Sequence, residues 1–516
     1  MGLHVTERAL PDLERDPAAR EASADGAGAR SADAARAGAP NTRVIWLLLA
    51  ATFVVFLNET IMGVAVPHLV DDLGITVTAA QWLTTAFLLT MAVVIPITGF
   101  LLQRFPTRPI FITAMTLFSV GTLLAALAPG FEVLLAARVV QASGTAIMMP
   151  LLMTTLMTVV PPSDRGRFMG RVSIVMSVAP AVGPTISGII LSVASWRFMF
   201  WLVLPIAVAM LIVGIRKVET VNEPRRLPID VVSVVLSAFG FGGLVYGLSQ
   251  LGGEGGHGGA AGATPSYAIW VAFAVGIVGL GAFIWRQLVL QRRDRALLDL
   301  RTFRSRNFSI SVGLMVVLMA ALFGTIIVLP YYLQRVLELT PLETGLVLLP
   351  GGLLMGLAGP LVGRLYDRFG PTPLLVPASI VLSGVLWSLT LVGEQTSVWL
   401  VLAAHLVMSL ALAFMFTPLF TSALGSVEPR LYSHGSAIIG TVQQVAGATG
   451  TALFIAVMAS RDAAATAAGA TEIAAYAEGI RAAFLVGAII SLGAIAGSIF
   501  VRKPADMVAG HAPAGH

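Results

Sequence analysis

The chain has no cysteine, so disulfides, zinc–thiolate sites and cysteine nucleophiles are excluded. Charge is also scarce: Asp, Glu, Lys and Arg make up 11% of 516 residues, against 57% hydrophobic residues. A soluble domain carries about 25% charge, and the shortfall here extends along the whole length, which marks an integral membrane protein. Lysine is nearly missing, with only Lys217 and Lys503 beside thirty arginines. No glycine-rich Walker A loop ending in Gly-Lys-Ser/Thr is present, so no nucleotide-driven step is expected. Nothing resembles a metal cluster or a nucleophile–base pair, so the reading is not an enzyme and needs no cofactor beyond an ion gradient. Residues 1–43 lack the apolar core of a signal peptide and read as a disordered tail.

What is present is a long series of apolar runs. A span needs about 20 apolar residues, and fourteen candidates occur, the first at 44–66 and the last at 480–500. With the N-terminus inside, cytoplasmic segments hold 27 of the 32 basic residues. That bias predicts a multi-pass protein with both termini cytoplasmic. It also explains the net charge of +5 without nucleic acid as a partner.

The chain repeats itself. Gly99–Arg108 (GFLLQRFPTR) aligns with Gly363–Thr372 (GRLYDRFGPT) at an offset of 264 residues, and the same offset carries spans one to five onto spans nine to thirteen. Spans seven and eight have no counterpart. The predicted plan is all-α, six plus two plus six. It comprises a bundle at 44–216, a linker at 217–229, two extra spans at 230–288 and a linker at 289–308. A second bundle at 309–500 and a tail at 501–516 complete it. Parallel halves of this kind are a transporter architecture, with the substrate site at their interface near the midplane.

Rare residues inside the runs mark the candidate site. A charge in hydrocarbon costs ~2.5 kcal/mol or more at a helix centre. Of 27 acidic residues, only Glu59 lies well inside a span, roughly 12 Å below its outer end at the helical rise. Arg138 lies roughly 9 Å below the outer end of span four, so the two depths match. Two readings stand: Glu59 carries a coupling proton or attracts a cationic substrate with Arg138 tuning it, or the two form a static pair that fixes helix packing. Asn58, Gln141, Gln443 and Gln444 line a cavity or hydrogen-bond between helices. His405 titrates near neutrality or is a packing donor. Met148, Met149, Met153, Phe416, Tyr331 and Tyr332 form a soft cavity wall or ordinary core. Gly183 and Ser187 share a helix face that permits close backbone approach, and Pro184 bends the same helix. Asp367 precedes span eleven, where a helix dipole favours negative charge.

Several of these segments resemble the major facilitator superfamily. The paired loops after spans two and ten, R-V-V-Q-A-S-G at 138–144 and A-P-A-V-G-P-T-I-S-G at 179–188 are similar to its gating-loop, fourth-helix and antiporter motifs. L-N-E-T-I-M-G-V-A-V-P at 57–67, L-P-Y-Y-L-Q at 329–334 (which adds Gln334 to the cavity candidates) and Q-W-L-T-T at 81–85 resemble the fourteen-span EmrB/QacA-type drug:proton antiporters and their lincomycin-resistance branch. The resemblance implies a monomeric exporter in the bacterial inner (plasma) membrane, exchanging protons for lipophilic drugs by alternating access. An exporter of one endogenous metabolite or lipid is the alternative. It implies that Pro180, Gly183, Pro184 and Gly188 form a tight seam with a helix of the second half. It also implies that Gly99, Arg104, Arg108, Gly363, Asp367, Arg368 and Gly370 latch the cytoplasmic face. This chain departs from the pattern with Asn58 for Asp, Gln103 and Pro106 in the first gating loop, and Ala448 opposite Pro184.

Overall fold

A computed structural model describes residues 42–75, 77–222, 224, 228, 230–254 and 266–504, except for the side chains of 42, 63, 64, 66, 67, 71, 77, 78, 81, 184, 251–254, 266 and 341. The tail before residue 42, the chain after 504, the side chain of Gln81 and the ring of Pro184 therefore lie outside the described residues. Among the described residues there is no strand, and fourteen helices are long and apolar enough to cross a membrane.

In chain order these are α1 (Thr42–Leu73), α2 (Val77–Arg104), α3 (Thr107–Ala126), α4 (Phe131–Val159), α5 (Arg165–Val193), α6 (Arg197–Lys217) and α7 (Val231–Glu254). They continue as α8 (Ser266–Leu290), α9 (Arg306–Arg335), α10 (Pro341–Phe369), α11 (Thr372–Leu389), α12 (Val398–Gly425), α13 (Tyr432–Ala467) and α14 (Glu472–Ser498). Several helices outrun the apolar runs that mark them. The first run ends at 66 while α1 continues to Leu73, and α13 continues through the alanine-rich segment to Ala467. Alanine and other good helix formers propagate a turn or two past the hydrocarbon once a membrane helix is nucleated. The starts are capped locally. Thr340 and Glu343 form a reciprocal capping box at α10, and the Thr471 hydroxyl accepts the Ala474 N–H at α14.

The 264-residue repeat is visible in the packing. The neighbours α1–α5, α2–α4, α3–α4 and α3–α6 of the first half correspond to α9–α13, α10–α12, α11–α12 and α11–α14 of the second. The contacts between halves obey the same relation: α5 packs along α10, and α13 packs along α2. Helices α7 and α8 pair with each other, and α7 lies against both α2 and α13.

The arginine-rich face of the bundle is stapled by polar residues of the linkers and of the α8 end. Asn222 accepts from the Thr107 N–H (2.8 Å) and hydroxyl (2.7 Å) and donates to the carbonyls of Leu102 and Phe105. It closes the α2–α3 turn. Between α8 and α9, the buried Gln287 amide oxygen accepts from the Leu297 and Leu298 N–H groups while its nitrogen donates to Ser233. Arg286 grips Asp230 through two nitrogens at 2.6 and 2.7 Å. Asp299 is buried and accepts from the Arg301 backbone and guanidinium. Burial opposes the Asp299 carboxylate, but those hydrogen bonds outweigh it and hold its pKa below the usual carboxylate range.

Candidate functional site

The first-half site is built by close approach of α3 and α4. A Cβ on Gly121 would lie 2.6 Å from the Gln141 nitrogen, and one on Gly144 would lie 2.4 Å from the Ala114 carbonyl oxygen. Only glycine permits that spacing, and it brings the Gln141 side chain within reach of α3. Gln141 donates to the Thr122 hydroxyl at 2.8 Å, and Thr122 in turn donates to the Phe118 carbonyl. The Gln141 amide oxygen accepts from Arg138 at 2.6 Å. The Arg138 guanidinium sits 4.0 Å over the Phe87 ring of α2. Arg138 is 1% exposed, yet its Nε has no hydrogen-bond partner among the described residues. An aromatic face and a neutral amide thus hold a cation without neutralising it.

Glu59 supplies the nearby negative charge. It is half-buried on α1 and interacts with Arg138 through charge. Among the described residues no ion pair within 4.0 Å joins the two. The adjacent Thr60 fixes the rotation of α1. Its hydroxyl is shared among the Leu57 (3.0 Å) and Phe56 (3.4 Å) carbonyls of its own helix and the Ala179 carbonyl of α5 (3.4 Å). Asn58 is buried, and its amide oxygen has no partner. The arrangement is a charged pair held apart, with unused hydrogen-bonding capacity on Asn58 and Arg138.

The second half answers this site without its charge. By the 264-residue offset, Gln141 corresponds to His405, Phe87 to Gly351 and Arg138 to Leu402. His405 packs against Gly351, where a Cβ would lie 2.3 Å from its Nε2. That Nε2 is 3.2 Å from the Leu348 carbonyl, while Nδ1 has no partner.

The other candidates are dispersed. Met149, Met153 and Gln443 line a small central cavity of about 10 Å³ with Phe420 and Ser436. Gln443 also approaches the Met319 sulfur at 3.9 Å, and Gln444 is half-buried on the same helix. Phe416 is buried and stacks on Phe420, and Met148 is fully buried in the core. Tyr332 is also fully buried, but its hydroxyl donates to the Gly393 carbonyl in the α11–α12 turn. It anchors a loop instead of lining the central cavity. Tyr331 meets Tyr476 edge-on, and Gln334 is exposed at the end of α9.

The seam in α5 differs from the expectation. Gly183 packs on Thr60 of α1, within its own half, and Gly188 is exposed with nothing within 4 Å of a Cβ. Pro180 is half-buried. The backbone contact with the second half is nearer the arginine-rich face. There a Cβ on Gly170 would lie 2.1 Å from the Gly359 oxygen, and one on Gly363 2.1 Å from the Gly166 oxygen. Gly352 against Ala181 and Gly356 against Val178 extend this seam along α5 and α10. The glycines at 166, 170, 359 and 363 were legible as small-xxx-small pairs, but only the fold pairs them.

Both latch loops reach the opposite half. Asp367 does not serve α11. It accepts the Gly166 and Arg167 N–H groups, both at 2.8 Å, at the start of α5 in the other half. Its repeat equivalent Gln103 donates to the Arg430 carbonyl at 2.8 Å. Gly99 lies against Ser433, His434 and Ala437 of α13. Hydroxyl pairs Ser173–Thr417 (2.7 Å) and Thr154–Ser436 (3.3 Å) also bridge the halves. Arg108 caps the Ile215 carbonyl of α6, Arg104 lies over Phe105, and Arg368 lies over Phe369. Gly370 ends α10 at φ +80°, a left-handed conformation that glycine adopts without strain. Arg165, which sequence reading passed over, folds back onto the Met157 and Val160 carbonyls and lies 5.4 Å from the Tyr432 ring centroid. The two halves are closed on each other at this face.

Residues 48–451 match the Major Facilitator Superfamily family model. The lincomycin resistance protein LmrB of Listeria monocytogenes is 39% identical over 89% of this chain and 96% of its own length. The MFS-type transporter YcnB of Bacillus subtilis is 38% identical over 89% and 95%, and the multidrug resistance protein B homolog of Mycobacterium tuberculosis is 29% identical over 80% and 75%. Among solved structures, the human organic anion transporter MFSD10 (TM-score 0.60, 14% identity, 89% of this chain and 99% of that one) shares the fold. So does the proton:xylose symporter XylE (TM-score 0.59, 14% identity, 91% and 98%). The chain belongs to the major facilitator superfamily and is a membrane transporter, not an enzyme.

Proposed function

We propose that this protein is a proton-coupled exporter of lipophilic antibiotics, cationic or lincosamide-like, working by alternating access in a bacterial plasma membrane. Its relatives named for lincomycin and multidrug resistance support drug efflux. The proposed orientation places both termini and the arginine-rich face in the cytoplasm, following the distribution of basic residues. The chain acts as a monomer, with protons and small-molecule drugs as its partners.

The observation that carries the coupling is the separated Glu59–Arg138 pair. A proton entering from outside neutralises Glu59 and leaves Arg138 uncompensated; a cationic or polar drug competes for the same carboxylate. Each ligand changes the cost of burying the pair, and that difference shifts the balance between inward- and outward-facing states. One proton moving inward across 100 mV releases ~2.3 kcal/mol, enough for about fiftyfold accumulation of an uncharged drug outside; exchange for a monocation moves no net charge and draws on the pH gradient alone.

The experiment is transport in proteoliposomes with an imposed pH gradient, using Glu59→Gln. The expected result is loss of gradient-driven export with the protein still inserted and monodisperse. Unchanged export would remove Glu59 from the coupling step. A susceptibility panel in a host deleted for efflux pumps identifies the drugs.

A further inference from the structure

Helices α7 and α8 are the pair the repeat does not explain, and their packing leaves a feature of its own. Their backbones touch through glycine. A Cβ on Gly276 would lie 2.6 Å from the Leu244 nitrogen, one on Gly243 2.8 Å from the Gly276 nitrogen, and one on Gly240 2.8 Å from the Leu280 nitrogen. Two helices held this close present a narrow ridge to α2, and the space beside the ridge is not filled. The result is a groove of about 400 Å³ between α2, α7 and α8, within the roughly 300–1,000 Å³ range of small-molecule sites. Leu89 and Val93 form its α2 wall. Phe239, Val271 and Val275, all exposed on the outer surface of the bundle, form its rim. Its floor is Gly242, where a Cβ would meet only Leu89 at 3.5 Å and Val93 at 3.6 Å.

We infer that this groove seats one acyl chain of a bilayer phospholipid, bound in the leaflet that faces the α7–α8 turn. Three features specify that occupant. The groove is cut into three membrane-spanning helices and opens toward the bilayer, so the chains of lipids are what it meets. Its length fits within one leaflet: the lining runs from Ala238 to Tyr246 on α7, a rise of ~12 Å, inside half of a ~30 Å hydrocarbon core. Its end nearest the turn is closed by a polar, aromatic cap. Trp82 stacks on Tyr246 with ring centroids 5.7 Å apart, and the Gln250 amide reaches the Tyr246 hydroxyl at 3.5 Å. Trp and Tyr favour the depth where headgroups begin, so an apolar slot ending at such a cap matches an amphipathic molecule standing along the membrane normal. The attraction is dispersion, because lipid tails elsewhere are equally apolar and only an unfilled slot offers extra contacts.

The test uses the full-length protein in nanodiscs containing phosphatidylglycerol with a diazirine midway along one acyl chain. After irradiation, labelled peptides are quantified by mass spectrometry. The expected result is at least fivefold more label on segments 238–246 and 268–275 than on the lipid-facing stretch of α11 around Ile380 and Val381. Gly242→Leu fills the floor and should cut groove labelling at least fivefold with α11 labelling unchanged. Ala272→Leu, on the opposite wall, repeats the test if the first variant does not elute as a monodisperse protein. Equal labelling of groove and α11 overturns the inference, because the groove then holds only transient boundary lipid. Loss of groove label on adding the lipophilic cation tetraphenylphosphonium also overturns it, because the slot would then belong to substrate.

Discussion

Gln103 and Asp367, equivalent by the repeat, both reach across to the opposite half, but with opposite polarity: Gln103 donates to the Arg430 carbonyl and Asp367 accepts the Gly166 and Arg167 N–H groups. A carboxylate at a helix N-terminus meets unpaired N–H groups and the positive end of the dipole. An amide donating to one carbonyl is a single neutral bond. The closed face is therefore latched unequally, strongly at α5 and weakly at α13.

Removing the strong latch should open that face more than removing the weak one. Hydrogen bonds to charged groups contribute ~1.5–3 kcal/mol and neutral ones ~1 kcal/mol. Asp367→Ala should raise the labelling rate of a cysteine placed at Ser436 by about tenfold or more, and Gln103→Ala by less than about fivefold, on those energies. The chain has no native cysteine, so the signal has no background. Equal effects would contradict the asymmetry.

The glycine seam makes a second comparison. Gly170→Ala places a methyl 2.1 Å from the Gly359 oxygen, which closed helices cannot accommodate. Export should fall by an order of magnitude or more, with the Ser436 position labelled as in Asp367→Ala. Gly188→Ala meets nothing within 4 Å and should export at the native rate. Loss of export in Gly188→Ala would return the seam to the antiporter motif.

Gln141 has a positioning role that stability should report. Gln141→Leu leaves the buried Arg138 without its one hydrogen-bond acceptor among the described residues and the Thr122 hydroxyl without its donor. Stranding a buried charged group costs ~1–3 kcal/mol or more, so the thermal unfolding midpoint in detergent should drop by several degrees. Gln141→Glu should restore the midpoint by accepting from Arg138 while changing the pH dependence of export.

Asp299 gives a pH prediction with a definite sign. Its folded pKa is depressed, so its stabilising contribution is present above the unfolded value of about 3.9 and is lost as pH falls through the folded value. The difference in unfolding midpoint between native protein and Asp299→Asn should be full at pH 6 to 7 and shrink below about pH 4. A difference that grows on acidification would reverse the assignment.

The sequence by itself determined the membrane class, the fourteen spans, the duplication and the rarity of Glu59 and Arg138, because burial in hydrocarbon writes a run of apolar residues and makes each exception conspicuous. It also contained the glycines of the α5–α10 seam. What it could not express is partnership. That Asp367 caps α5 and not α11, that Gly183 meets Thr60 while Gly166 and Gly170 meet α10, and that Tyr332 anchors a turn are relations between helices far apart in the chain. Periodicity records which face of a helix is apolar but not which neighbour it touches, since lipid and protein interior are nearly equivalent solvents for a side chain. Only the tertiary structure, which must satisfy every close backbone approach at once, decided those pairings.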